Sequence, residues 1–115
     1  MTIFEAIGQL DAQKPNNFPL SQKLGWLTAL DAQVRREVLG DNSPITPYGE
    51  DTQQDLLIPA PYDECYLRYL EAQIDYLHGE LDRYQNAMAL FNAIYSAFSA
   101  WHLRQNLPQN RAFSF

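Results

Sequence analysis

Large apolar residues recur at Leu67, Leu70, Ile74, Leu77, Leu81, Tyr84, Met88, Phe91, Tyr95 and Phe98, with intervals alternating between three and four. Such a heptad-like seam predicts a long C-terminal helix over about 62–106. No proline interrupts it, Asp63 and Glu64 stand where a helix N-terminus favours negative charge, Arg104 stands at the opposite end, and Pro108 follows. Because the seam keeps its phase across Gly79, a continuous or gently bent helix is favoured. Its length would be roughly 66 Å at 1.5 Å per residue, while a compact chain of this size has a radius of gyration near 13 Å, in order of magnitude. An unbroken helix would therefore project beyond its own domain and require partners. A kink at Gly79 would instead close a helical hairpin.

Upstream, the pattern predicts two shorter helices. In "TIFEAIGQL", Thr2 and Glu5 form a capping box, and Ile3, Phe4, Ile7 and Leu10 make an apolar stripe, giving a helix over about 2–12. The turn-forming "KPNNFP" ends it. Leu20, Leu24, Leu27, Leu30, Val34 and Val38 then predict a helix over 20–39, with Arg35 and Arg36 in its last turn and Gly40 as its C-cap. Residues 40–61 hold four of the seven prolines and form an arm without helix. Within it, "ITPY" and "DLLIP" could pair as short strands around Gly49-Glu50-Asp51; otherwise the arm is irregular. The expected fold is mainly α, a small helical bundle of one domain over 1–115, built on the long C-terminal helix.

A second stripe runs one position before the seam. It reads Tyr66, Tyr69, Gln73, Tyr76, Glu80, Arg83, Ala87, Leu90, Ile94, Ala97 and Trp101, and Tyr62 extends it upstream. Its C-terminal half reads as core. Its tyrosine-rich half reads equally as core, where each hydroxyl needs a partner, or as a subunit interface, where that end stays wet. Tyr62, Tyr66, Tyr69 and Tyr76 are therefore candidate interface residues, together with Leu56, Leu57 and Ile58, which are too apolar to leave unpacked. Ala89, Ala93 and Ala97 have the spacing that allows a second helix to approach closely, although helix propensity alone also accounts for them.

Charge adds a polarity to this picture. The net charge is −6, but residues 41–82 hold ten acidic residues against Arg68 alone, whereas 84–115 hold no acid and two arginines. The acidic stretch disfavours direct nucleic-acid binding, and opposite ends on one chain can complement each other between copies. Hydrophobic residues make up 46% and charged ones 19%, ordinary for a soluble globular domain. No signal-peptide pattern or membrane-length apolar run is present, and the lone Cys65 forms no internal disulfide and reads as packing.

Candidate chemistry is sparse. Glu71, Asp75, His78 and Asp82 share one helix face, yet a di-metal bundle needs matched Glu-x-x-His pairs on two helices, and there is one such face. They read as solvated charge. No Gly-rich phosphate loop, G-x-S-x-G or C-x-x-C occurs. Neither an enzyme nor a metal, cofactor or small-molecule site is expected.

Three stretches carry a resemblance. "MTIFEAIGQLDAQKPN", "KLGWLTALDAQVRREV" and "LLIPAPYDECYLRYLEAQIDYLHGELDRYQNAMALFNAIYSAF", in that order, resemble a family of small proteins of tailed phages and prophages, mostly of Gram-positive bacteria. The most specific parts are Trp26-Leu27 with Leu30-Asp31, Pro59 to Asp63, and Tyr84 to Asn92. Genes of this family sit in the head-morphogenesis block, where head–tail connector (adaptor) proteins are expected. The resemblance implies a non-catalytic helical subunit forming a ring-like homo-oligomer on the portal, with portal and neck proteins as partners. It places the protein in the virion neck, or in the host cytoplasm during assembly. On this reading the 45–58 arm and the Tyr62, Tyr66 and Tyr69 face contact neighbours, and Phe113 and Phe115 of the tail could dock similarly. A small acidic helical regulatory or interaction protein of a prophage is the alternative.

Overall fold

The capping box at Thr2 forms: its hydroxyl oxygen accepts from the Glu5 N–H at 3.1 Å, and its own N–H donates to Glu5 Oε1 at 2.8 Å. It opens the first of four helices in the computed structural model, which describes residues 1–107. They are α1 (Ile3–Gln13), α2 (Leu20–Glu37), α3 (Glu64–Leu77) and α4 (Leu81–Gln105). The tail bearing Phe113 and Phe115 lies outside the described residues. The mainly helical expectation holds, and α1 and α2 begin and end close to where capping and proline signals put them. On α1 the buried face is Ile3, Ala6 and Leu10, while Phe4 points to solvent.

The long helix does not run through Gly79. Gly79 adopts φ +73°, open to glycine and strained for other residues. Around it the Glu80 N–H donates to Asp75 O at 2.9 Å and the Gly79 N–H to Tyr76 O at 3.1 Å. That pair of bonds is a Schellman closure, which satisfies the last carbonyls of α3 and turns the chain back. The result is an antiparallel hairpin, α3 against α4. Three aromatic pairs set its register: Tyr76–Tyr84, Tyr69–Phe91 and Tyr62–Phe98, with ring centroids 5.3, 5.5 and 6.0 Å apart. All three are symmetric about Glu80. On α4 these partners are seam residues, but on α3 they come from the tyrosine stripe, so the facing side shifts across the turn and the unbroken phase through Gly79 does not mark a rod.

Helix α3 is the middle of the molecule, touched by α1, α2 and α4, whereas α4 lies along α3 and reaches α2 through Tyr95, whose hydroxyl donates to Glu37 Oε1 at 3.1 Å. The core gathers Ile3, Leu10, Leu27, Leu30, Val34, Tyr66, Leu70 and Ile74, closed on one side by Phe91 and Phe98.

The arm, residues 40–61, is irregular and forms no hairpin. Pro44 and Pro47 remove donors that a ladder would use. Three of its amides are engaged by the helices: the Tyr48 N–H donates to Thr28 Oγ1 at 2.9 Å, and those of Leu57 and Ile58 go to side chains of α2 and α3. The arm in turn supplies α1. Gln54 O accepts from the Ile3 N–H at 3.0 Å and Thr52 O from the Phe4 N–H at 2.8 Å, so two orphan donors of the first turn are met by a distant segment.

Candidate functional site

Asp31 lies on the buried face of α2, in phase with Leu24, Leu27, Leu30 and Val34, and its side chain is fully enclosed. Its Oδ2 accepts from the Tyr48 hydroxyl at 2.5 Å and from the Leu57 N–H at 3.1 Å. Its Oδ1 accepts from the Tyr66 hydroxyl at 2.5 Å, and that hydroxyl accepts from the Ile58 N–H at 2.8 Å. One carboxylate thus joins α2, two points on the arm and α3. A buried charge without such donors would be strongly unfavourable.

Burial pushes the Asp31 carboxyl above its ordinary range, and the Tyr48, Tyr66 and Leu57 donors pull it back. Burial, with Asp31 alongside, pushes the Tyr48 and Tyr66 hydroxyls well up, so both remain donors. Burial likewise pushes the Cys65 thiol up to about 12, with Asp31 and Asp63 adding to it. A thiol so held is protonated near neutral pH and sealed from solvent, the opposite of a nucleophile's surroundings. The Asp31 cluster is a clamp.

The candidate interface residues divide. Tyr66, Leu56 and Ile58 are buried in the chain's own core, Tyr66 and Ile58 completely, so they form no outer face of this fold. Tyrosine 66 is inside because Asp31 and Ile58 satisfy its hydroxyl. Leu57, Tyr62 and Tyr69 are half-buried against that core, Tyr62 between Phe98 and Trp101. Tyr76 alone of the set is exposed, at 57%, and it lies beside Leu77 and Leu81 at the hairpin tip, also more than half exposed.

The acidic face does not act as a unit. Asp75 is buried, with the Lys14 ammonium 2.8 Å from its Oδ1, off the hydrogen-bonding direction, so charge rather than a well-aligned bond compensates it. Glu71 pairs with Arg68 at 2.6 Å, and the His78 ring stacks on Phe18 at 5.5 Å. Among the described residues no group of three or more His, Cys, Asp or Glu is placed to hold a metal. No described helix is long and apolar enough to cross a membrane. The clefts are shallow surface hollows, one between the end of α2 and the His102–Asn106 end of α4, another beside Phe18 and His78.

What sequence reasoning missed is the Asp31–Tyr48 pairing and, beyond the Ala89, Ala93 and Ala97 spacing, how much of the outer side of α4 is bare. A usable signal for the first was an acid in phase with four aliphatic residues of α2. For the second it was charge. Residues 84–103 contain no Asp, Glu, Lys or Arg, yet only Ala87, Phe91 and Phe98 of α4 are buried. Comparison with known protein families, with curated proteins and with solved structures finds no match.

Proposed function

We propose that this chain is a non-catalytic assembly subunit, a head–tail connector (adaptor) protein of a phage or prophage that docks on the portal. Support comes from the three stretches that resemble that family and from the shape of the hairpin. The observation that carries the reading is the tip of the α3–α4 hairpin, where Tyr76, Leu77 and Leu81 stand more than half exposed around the Gly79 turn. Large apolar groups gathered around an exposed turn are unfavourable in water and suit a protein partner. On this reading the tip meets the portal or a neighbouring subunit, and the arm serves the fold, with Leu56 and Ile58 directed inward.

The test is mass measurement by light scattering on the full chain, alone and mixed with the portal protein of the same phage or prophage genome. A ring-sized complex with portal, weakened at least about tenfold by Tyr76→Ala with Leu77→Ala, is expected. A chain that ignores portal at high concentration overturns the reading and leaves the regulatory alternative.

A further inference from the structure

Helix α4 is held on one side only, and its far side has a composition of its own. Counting from the first turn, Asp82, Asn86, Ala89, Ala93, Ala97, Ala100 and Arg104 follow one another along that side, and all seven are exposed. At about 100° per residue they stand opposite the Phe91–Phe98 edge that packs on α3.

Their spacing is palindromic about Ala93: four, three, four, then four, three, four. An antiparallel copy laid on this stripe places Ala93 against Ala93, Ala89 against Ala97, Asn86 against Ala100, and Asp82 against Arg104. The acid at one end therefore meets the base at the other, twice, and no charge stands between them. Neither Asp82 nor Arg104 forms an ion pair among the described residues; Arg83, next to Asp82, is already paired with Glu80 at 3.2 Å. Helix dipoles oppose in this arrangement, which also favours it.

We propose that two copies of this chain pair through their α4 helices, antiparallel and centred on Ala93, with Asp82 of each copy against Arg104 of the other. The partner is a second copy for an electrostatic reason. The chain carries −6 overall, so most of its surface repels a like chain, while the 84–103 face carries no charged side chain and ends in complementary ones. Alanine at the crossing lets the two axes approach toward the short end of the 8–10 Å range, in order of magnitude. Leu90, 53% exposed, is withdrawn from water along one edge of the contact. The pairing is isologous and closes on itself, so it is separate from any ring contact and does not depend on the portal reading.

Sedimentation equilibrium of the full 115-residue chain tests it. A dimer is expected, and Ala93→Glu, which sets two carboxylates together on the two-fold axis, should raise its dissociation constant at least about 100-fold. Asp82→Arg alone should weaken the dimer, and adding Arg104→Asp should restore it. Register has its own readout: under mild oxidation Ala93→Cys should cross-link to itself, whereas Ala89→Cys should cross-link to Ala97→Cys and poorly to itself. Cys65 is buried and does not compete. A monomer at all concentrations would overturn the proposal, whatever else covers the face. So would a dimer indifferent to Ala93→Glu, or one in which Ala89→Cys joins its own copy as fast as Ala93→Cys does.

Discussion

Asp31 in α2 and Ala93 in α4 lie in the two longest helices, and their surroundings are opposites. The charged residue is enclosed and bonded at both oxygens; the apolar one is exposed on a face without charge. Polarity alone would assign them the other way round. What decides each case is the supply of partners. Around Asp31 the arm and α3 deliver two hydroxyls and an amide, so a carboxylate is tolerable inside. Around Ala93 no helix of this chain arrives: α3 lies on the opposite side, and α2 reaches α4 through Tyr95, whose hydroxyl donates to Glu37 Oε1 at 3.1 Å. The first region is self-sufficient, and the second is unfinished.

The contrast is broken most severely at its polar end. Asp31→Ala strands both tyrosine hydroxyls and the Leu57 N–H, and should cost about 3–5 kcal/mol in urea unfolding. Tyr66→Phe removes one donor to Asp31 and the acceptor of the Ile58 N–H, so about 1–3 kcal/mol is expected by the same measurement. A loss below a few tenths of a kcal/mol for both would mean the cluster is not a clamp. The clamp should also leave a signature in pH. Because the folded Asp31 carboxyl is raised above its unfolded value, its contribution is fully present below the ordinary carboxylate range and is lost as pH rises through the folded value. Unfolding midpoints measured across that window should show the slope, at most about 1.4 kcal/mol per pH unit, and Asp31→Asn should abolish it.

At the junction of the two regions, Gly79→Ala meets open space but places a Cβ at φ +73°, so backbone strain is the whole effect. It should cost about 1–2 kcal/mol in thermal or urea unfolding. Smallest is Ala93→Glu, which should change the unfolding free energy of the isolated chain by less than about 0.5 kcal/mol. A larger loss would place Ala93 inside the monomer and erase the comparison.

How legible each region was in sequence follows from distance along the chain. The Thr2 capping box, the Pro15–Pro19 break and Gly40 act within a few residues, and α1 and α2 were readable from them. Gly79 was visible as a candidate break, but heptad phase argued against it, although the hairpin packs the tyrosine stripe of α3, not its seam, against α4. The arm was readable as lacking helix, though not as an acceptor strip for α1, since Thr52 and Gln54 lie about fifty residues from their donors. The Asp31 cluster joins positions 17 to 35 residues apart, which periodicity does not report. The tyrosine stripe was seen, and its split between inside and outside was not. That split depends on whether a given hydroxyl meets a buried acceptor.

The anchoring of the arm has a practical consequence for anyone who wishes to modify this protein. Its fastenings fall at Tyr48, then at Thr52 and Gln54, then at Leu57 and Ile58, and Glu50 and Asp51 hold the turn between them by accepting from the Thr52, Gln53 and Gln54 N–H groups, which leaves exposed Gly49 outside these bonds. Lengthening a flexible span costs only about 0.6 kcal/mol for each doubling. A peptide tag or fluorophore graft is therefore best placed at Gly49, where added length stays outside the clamp, far in sequence from both the hairpin tip and the alanine face.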